Sequence, residues 1–159
     1  MGKILVAALC ALAICGGAAN AEEWLDECKV DPMNDDNDCI IYNRDVDLMI
    51  GIVDRHSTNE SSLIELFAPA RGPTLLGVCL ILHNYPGRKG LIRIDAHKAI
   101  ETDERGCLPT KLILPQMKAG NRVRTRYWVF PNDKPIEREG SLIGLTSAID
   151  QLTNRLKKP

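Results

Sequence analysis

Leu75-Leu76-Gly77-Val78-Cys79-Leu80-Ile81-Leu82 is almost continuously apolar. A run with no polar alternation predicts a central strand buried on both faces. Pro86-Gly87-Arg88-Lys89-Gly90 then reads as a turn. It leads into Leu91-Ile92-Arg93-Ile94-Asp95, whose alternation puts Leu91 and Ile92 on opposite faces and suits a hairpin partner for the preceding strand.

Comparable short runs rich in Ile, Val, Leu and aromatics lie at residues 39–42, 48–53, 63–67, 108–114, 122–130 and 136–143, separated by Gly, Pro, Asn and Asp. No regular succession of long helices separates them, so the expected class is all-β, a sandwich or barrel. One helix stands out near the end. Leu145, Ile149, Leu152 and Leu156 fall on one helical face, Thr146 or Ser147 can cap its start, and Lys157-Lys158 suit its C-terminal dipole. A shorter helical turn is expected at residues 115–119, stopping at Gly120.

The first 21 residues decide how the cysteines are read. Lys3 makes a positive n-region, residues 4–14 an apolar stretch, and Ala19-Asn20-Ala21 a small-x-small cleavage site, so residues 1–21 are expected to be a signal peptide. The apolar stretch is much shorter than the roughly 20 residues a membrane-spanning helix needs. Leu12-Ala13-Ile14-Cys15 approaches a lipobox, with Ile14 larger than that position usually takes, so lipoprotein processing at Cys15 is the rival reading. Residues 22–159 then form a single domain with no transmembrane segment, located in the periplasm, at the cell surface or outside the cell. They hold four cysteines, Cys28, Cys39, Cys79 and Cys107, which in an oxidising compartment read as two disulfides. Three connectivities exist; Cys28–Cys39 with Cys79–Cys107 is preferred, closing one short acidic loop and one longer loop. No cysteine pair has zinc-ligand spacing, and His56, His83 and His97 are scattered, so no metal or cofactor is expected.

Charge is unevenly placed. Residues 22–60 carry twelve acidic and three basic side chains, whereas residues 61–159 carry nine acidic and sixteen basic. The halves can attract each other within the fold, or the basic half can serve an anionic partner. The acidic run Asn34-Asp35-Asp36-Asn37-Asp38 offers oxygen ligands, yet in an EF-hand register Cys39 stands where glycine is required and Asp45 where glutamate is required. It reads as a solvated turn whose side chains bond their own backbone.

Residues 122–130 are the most suggestive strand. At period two, Arg122, Arg124, Arg126, Trp128 and Phe130 share one face, and Val123, Thr125, Tyr127 and Val129 the other. Three guanidiniums beside an indole are a candidate surface for phosphate, a sulfated sugar or a nucleic-acid strand through charge and stacking, with an anionic glycan or lipopolysaccharide the expected ligand. The plainer reading pairs those arginines with the acidic N-terminal segment and uses Trp128 to anchor the core. Catalytic signals are weak: there is no Gly-x-Ser-x-Gly, Ser141 lacks the following glycine spacing, and no phosphate-binding glycine loop occurs. Asp95 and His97 merely share a face in a strand. A hydrolase using them is the alternative to a non-enzymatic protein.

Several landmarks occur together: Trp24 and Cys28, Cys39 opening a strand, Pro73-Thr74-Leu75-Leu76-Gly77-Val78, Ile94-Asp95, Arg105-Gly106-Cys107, Met117-Lys118-Ala119-Gly120, and Gly140-Ser141-Leu142-Ile143-Gly144-Leu145-Thr146-Ser147-Ala148-Ile149. Together they resemble the invasion-associated locus B (IalB) family of exported alphaproteobacterial proteins, over almost all of residues 22–159. The resemblance implies an immunoglobulin-like β-sandwich in the periplasm or at the cell surface, with some relatives linked to host-cell entry. It supplies no catalytic residue. The family usually places a cysteine shortly before Gly-Cys, whereas residues 100–105 contain none; Cys79 is the only spare partner for Cys107, and two free thiols are the alternative. Leu145 stands where the family prefers Phe. The expectation is an envelope or host-surface binding protein, virulence-linked in its relatives, with no nucleic-acid partner.

Overall fold

Alternation at every second residue lets a strand bury one face of its pleat and wet the other. A computed structural model describes residues 24–33, 35–55 and 72–157; the segment at 1–21, Asn34 and the candidate strand at 63–67 lie outside them. In chain order the described elements are β1 (Leu25–Val30), β2 (Asn37–Asn43), β3 (Leu48–Arg55), β4 (Gly72–Leu80), β5 (Leu91–Ile94), β6 (Ile100–Glu101), β7 (Cys107–Pro109), α1 (Thr110–Ala119), β8 (Arg122–Tyr127), β9 (Ile136–Ser141) and α2 (Leu145–Leu156). The strands make two antiparallel sheets, ordered β1-β2-β3-β4-β7 and β6-β5-β8-β9. The described residues are therefore mostly β with two helices.

The inner faces of both sheets share one core. Ile41, Leu48, Ile50 and Val78 enter it from the first sheet, Ile92, Ile94, Val123 and Tyr127 from the second. The turn between β2 and β3 is fastened to the second sheet, because Thr125 Oγ1 donates to the Val46 carbonyl at 2.9 Å and the Tyr127 hydroxyl to Asp47 at 2.5 Å. Asp47 holds a left-handed backbone (φ 50°) and its carbonyl accepts the Ile81 N–H. Both disulfides join residues directly opposite each other on neighbouring strands, Cys28–Cys39 across β1 and β2 and Cys79–Cys107 across β4 and β7.

Several expectations are corrected. The apolar run at 75–82 is not buried on both faces: Leu75, Val78 and Leu80 pack toward the core, while Leu76, left unpaired at the bulge where the β3–β4 register shifts, turns outward beside Gly51 and is 57% exposed. Nor is β5 its hairpin partner. Residues between β4 and β5 cross to the second sheet, where β5 lies between β6 and β8. The run at 108–114 is mostly α1, since Ile113, Leu114 and Met117 form a helical face that the core buries. The helix does stop at Gly120. It runs through Pro115, which is why the local signal for a helix here is poor.

α2 buries Leu145, Ile149 and Leu152 as the spacing requires. Neither Thr146 nor Ser147 caps it. Gly144 in the left-handed region (φ 90°) precedes the helix and its carbonyl accepts the Ala148 N–H, while Ser147 instead accepts a hydrogen bond from Gln151. Arg155 pairs with Asp26 and so ties α2 to β1. No helix among the described residues is long and apolar enough to cross a membrane.

Candidate functional site

β8 alternates strictly: Val123, Thr125 and Tyr127 are buried, and Arg122, Arg124 and Arg126 are exposed on the outer face of the second sheet. The neighbouring strand completes that face. Glu139 lies opposite Arg124 and Glu137 opposite Arg126 in the β8–β9 register. Glu139 uses both oxygens, meeting Arg122 at 2.8 Å through Oε1 and the Arg124 Nε at 2.7 Å through Oε2. Glu137 meets Arg126 at 2.6 Å. The arginines therefore pair with β9, not with the acidic N-terminal segment.

The hydrogen bond from Arg124 holds the Glu139 carboxyl below its ordinary range; slight burial opposes this, and the charges of Arg122 and Arg124 reinforce it. The same contact, followed by the charge attraction to Glu139, raises Arg124. Both shifts favour the ionised forms of Glu139 and Arg124.

On the other side of β8 the register sets Arg93 of β5 opposite Arg124 and Leu91 opposite Arg126. Arg93 was not among the candidates read from residues 122–130. Its signal was present, because burial of Ile92 and Ile94 forces the residue between them outward. Arg93, Leu91, Ala99, Arg124 and Arg126, with Glu137 and Glu139, line an open groove of about 530 Å³. Glu101, opposite Leu91, is matched by Lys89 at 3.8 Å. The face thus carries Arg93, Arg122, Arg124 and Arg126 against Glu137 and Glu139.

Trp128 does not belong to this ladder. β8 ends at Tyr127, and the indole lies beside His83 and Arg88, whose guanidinium sits 5.6 Å from its ring centroid and 4.4 Å from that of Tyr85. Arg88 and Tyr85 both contact Asp133, and Tyr85 meets Phe130 edge-on at 5.7 Å. This cluster fastens the loop after β4 to the loop after β8, with Phe130 exposed at its margin.

β5 ends at Ile94, so Asp95 and His97 of the hydrolase alternative lie in the turn that follows and do not share a strand face. The Asp95 carboxylate accepts the backbone N–H groups of Asn121 and Arg122 at 2.9–3.3 Å, a turn-closing role. Buried His83 has its Nε2 3.0 Å from the Arg88 carbonyl and its Nδ1 accepting the Trp128 N–H at 3.3 Å. Neither His83 nor His97 has a carboxylate partner among the described residues. In the acidic turn Asp31 accepts the Met33 N–H at 2.8 Å, Asp35 is left-handed (φ 57°), and Asp36 is buried, so that turn is less solvated than its composition implies. No group of three or more possible metal-ligating His, Cys, Asp or Glu side chains occurs among the described residues.

Comparison with protein-family models, with curated proteins and with solved structures finds no match to this chain.

Proposed function

We propose that this chain is an exported, non-enzymatic binding protein of the bacterial envelope, an immunoglobulin-like sandwich of the invasion-associated locus B type. Its ligand is an anionic glycan, a sulfated chain or the phosphorylated sugar of lipopolysaccharide, at the envelope or a host surface. One observation carries the reading: four arginines stand on a single exposed sheet face, and among the described residues only Glu137 and Glu139 pair with them. The two closed disulfides support export, since such pairs persist in oxidising compartments.

Exposed guanidiniums attract polyanions over roughly 8 Å at physiological ionic strength, so retention on immobilised heparin should fall steeply with salt. An Arg122→Gln, Arg124→Gln double variant should elute at lower salt than the wild type with unchanged thermal unfolding. Equal elution of the two proteins refutes the reading.

A further inference from the structure

Like charges placed directly across an antiparallel pair repel, because their Cβ atoms are only about 4.5–5.5 Å apart. Arg93 and Arg124 are such a pair. The same face shows how two neighbouring guanidiniums are reconciled: Glu139 places one carboxylate oxygen on Arg122 and the other on Arg124. Between Arg93 and Arg124 no carboxylate does this. Arg93 makes no ion pair among the described residues, and Arg124 reaches Glu139 through Nε, leaving its Nη groups without a hydrogen bond among them.

We propose that Arg93 and Arg124 form a two-guanidinium clamp for one tetrahedral oxyanion, a sulfate or phosphate ester carried on an oligosaccharide. The clamp rests on the anionic-glycan reading above and makes Arg93 its specificity-determining residue. Guanidinium presents planar N–H donors suited to bidentate contact with such oxyanions, so two of them facing each other bind one ester more tightly than scattered charge does. Leu91 and Ala99 supply an apolar floor beside the clamp, against which the carbon face of a sugar ring can rest while its ester reaches the arginines. An ester held there extends the alternation of sign across the sheet: Arg93, oxyanion, Arg124, Glu139.

The test is isothermal titration with two probes, a heparin hexasaccharide as the sulfate source and deacylated, phosphorylated lipopolysaccharide oligosaccharide as the phosphate source. Wild type, Arg93→Gln, Arg93→Lys and Arg122→Gln are compared. Arg93→Gln and Arg122→Gln remove the same charge from the same face, but only the first opens the clamp. The expected result is at least a tenfold loss for Arg93→Gln toward whichever probe the wild type binds, an intermediate loss for Arg93→Lys, and no more than about a threefold loss for Arg122→Gln. Thermal unfolding of Arg93→Gln should stay level or rise, since a repulsive pair is removed. Equal losses for Arg93→Gln and Arg122→Gln overturn the clamp and leave the basic face as a diffuse polyanion surface. Absence of wild-type binding to both probes overturns the clamp and the anionic-glycan reading together.

Discussion

Replacing Tyr127 by Phe tests the fastening between the two sheets. Tyr127 is fully buried, and its hydroxyl donates to Asp47 at 2.5 Å, a carboxylate that also meets the Arg138 Nε at 3.3 Å. The substitution removes the hydroxyl and leaves the ring in place, so the core keeps its packing. A hydrogen bond to a charged group contributes about 1.5–3 kcal/mol; Arg138 still partners Asp47 in the variant, which places the expected loss near 2 kcal/mol. At about 3–5 °C per kcal/mol for a domain of this size, Tm should drop by roughly 6–10 °C.

The pH dependence separates this bond from a packing effect. Burial first, then the hydrogen bond and charge of Asp47, push the Tyr127 phenol up from its ordinary 10 to about 12. A phenol raised on folding stabilises the fold fully below pH 10 and loses that contribution as pH rises from 10 toward 12. At 1.36 kcal/mol per pH unit the loss is on the order of 2–3 kcal/mol. Urea unfolding at pH 8 and pH 11.5 should therefore show the advantage of wild type over Tyr127→Phe shrinking at the higher pH, with equal m-values. An advantage that is absent at pH 8, or the same at both values, refutes the reasoning.

Outcomes for five further variants are expected. Gly106→Ala should destabilise by about 2–4 kcal/mol in chemical denaturation, because the backbone is left-handed (φ 82°) and a Cβ would lie 2.9 Å from that of His83; Gly87→Ala, left-handed in open space, should cost only about 1–2 kcal/mol. Cys39→Ala should lower stability by about 3 kcal/mol, and Cys107→Ala, which opens the longer loop, by slightly more, both read by non-reducing thermal unfolding. Burial raises the Asp103 carboxyl, but the N–H groups of Cys107 and Arg105 and the Arg105 guanidinium outweigh it and leave the group below its ordinary range. Its stabilisation is therefore present above the unfolded aspartate range and lost as pH falls through the lowered folded value, so unfolding titrated from pH 7 to pH 3 should show wild type losing more than Asp103→Asn.

Much of the fold was legible because most strands obey one local rule. The expectations at 39–42, 48–53, 91–95 and 136–143 landed on β2, β3, β5 and β9, where alternation and turn residues agree with the tertiary contacts. β1 escaped notice because all six of its residues are exposed, so its sequence Leu-Asp-Glu-Cys-Lys-Val carries no buried period; the Cys28–Cys39 bridge and the ladder to β2 hold it. The run at 108–114 misled because Leu112-Ile113-Leu114 fits a strand or a helix equally, and the choice falls to Met117, one helical turn beyond Ile113. The run at 75–82 misled in another way: hydrophobicity on both faces did not require burial on both, and Leu76 remains at the surface.

The candidate site was half legible for a related reason. Local alternation placed Arg122, Arg124 and Arg126 on one face, but only the pairing of β8 with β5 and β9 could say which charges they meet. Glu137 and Glu139 were within reach in sequence; Arg93 is about thirty residues away and becomes their neighbour only through the sheet. That dependence also makes the face stiff. Arg93 lies in sequence between Ile92 and Ile94, Arg124 between Val123 and Thr125, and Arg126 between Thr125 and Tyr127, all of them almost wholly buried. A slip of one residue would expel that core, so the register, and with it the spacing of the guanidiniums, is held by hydrophobic burial well away from the ligand. Binding then has to order only the arginine side chains, not the backbone that carries them, which is the condition under which a shallow sheet surface can recognise a small charged group.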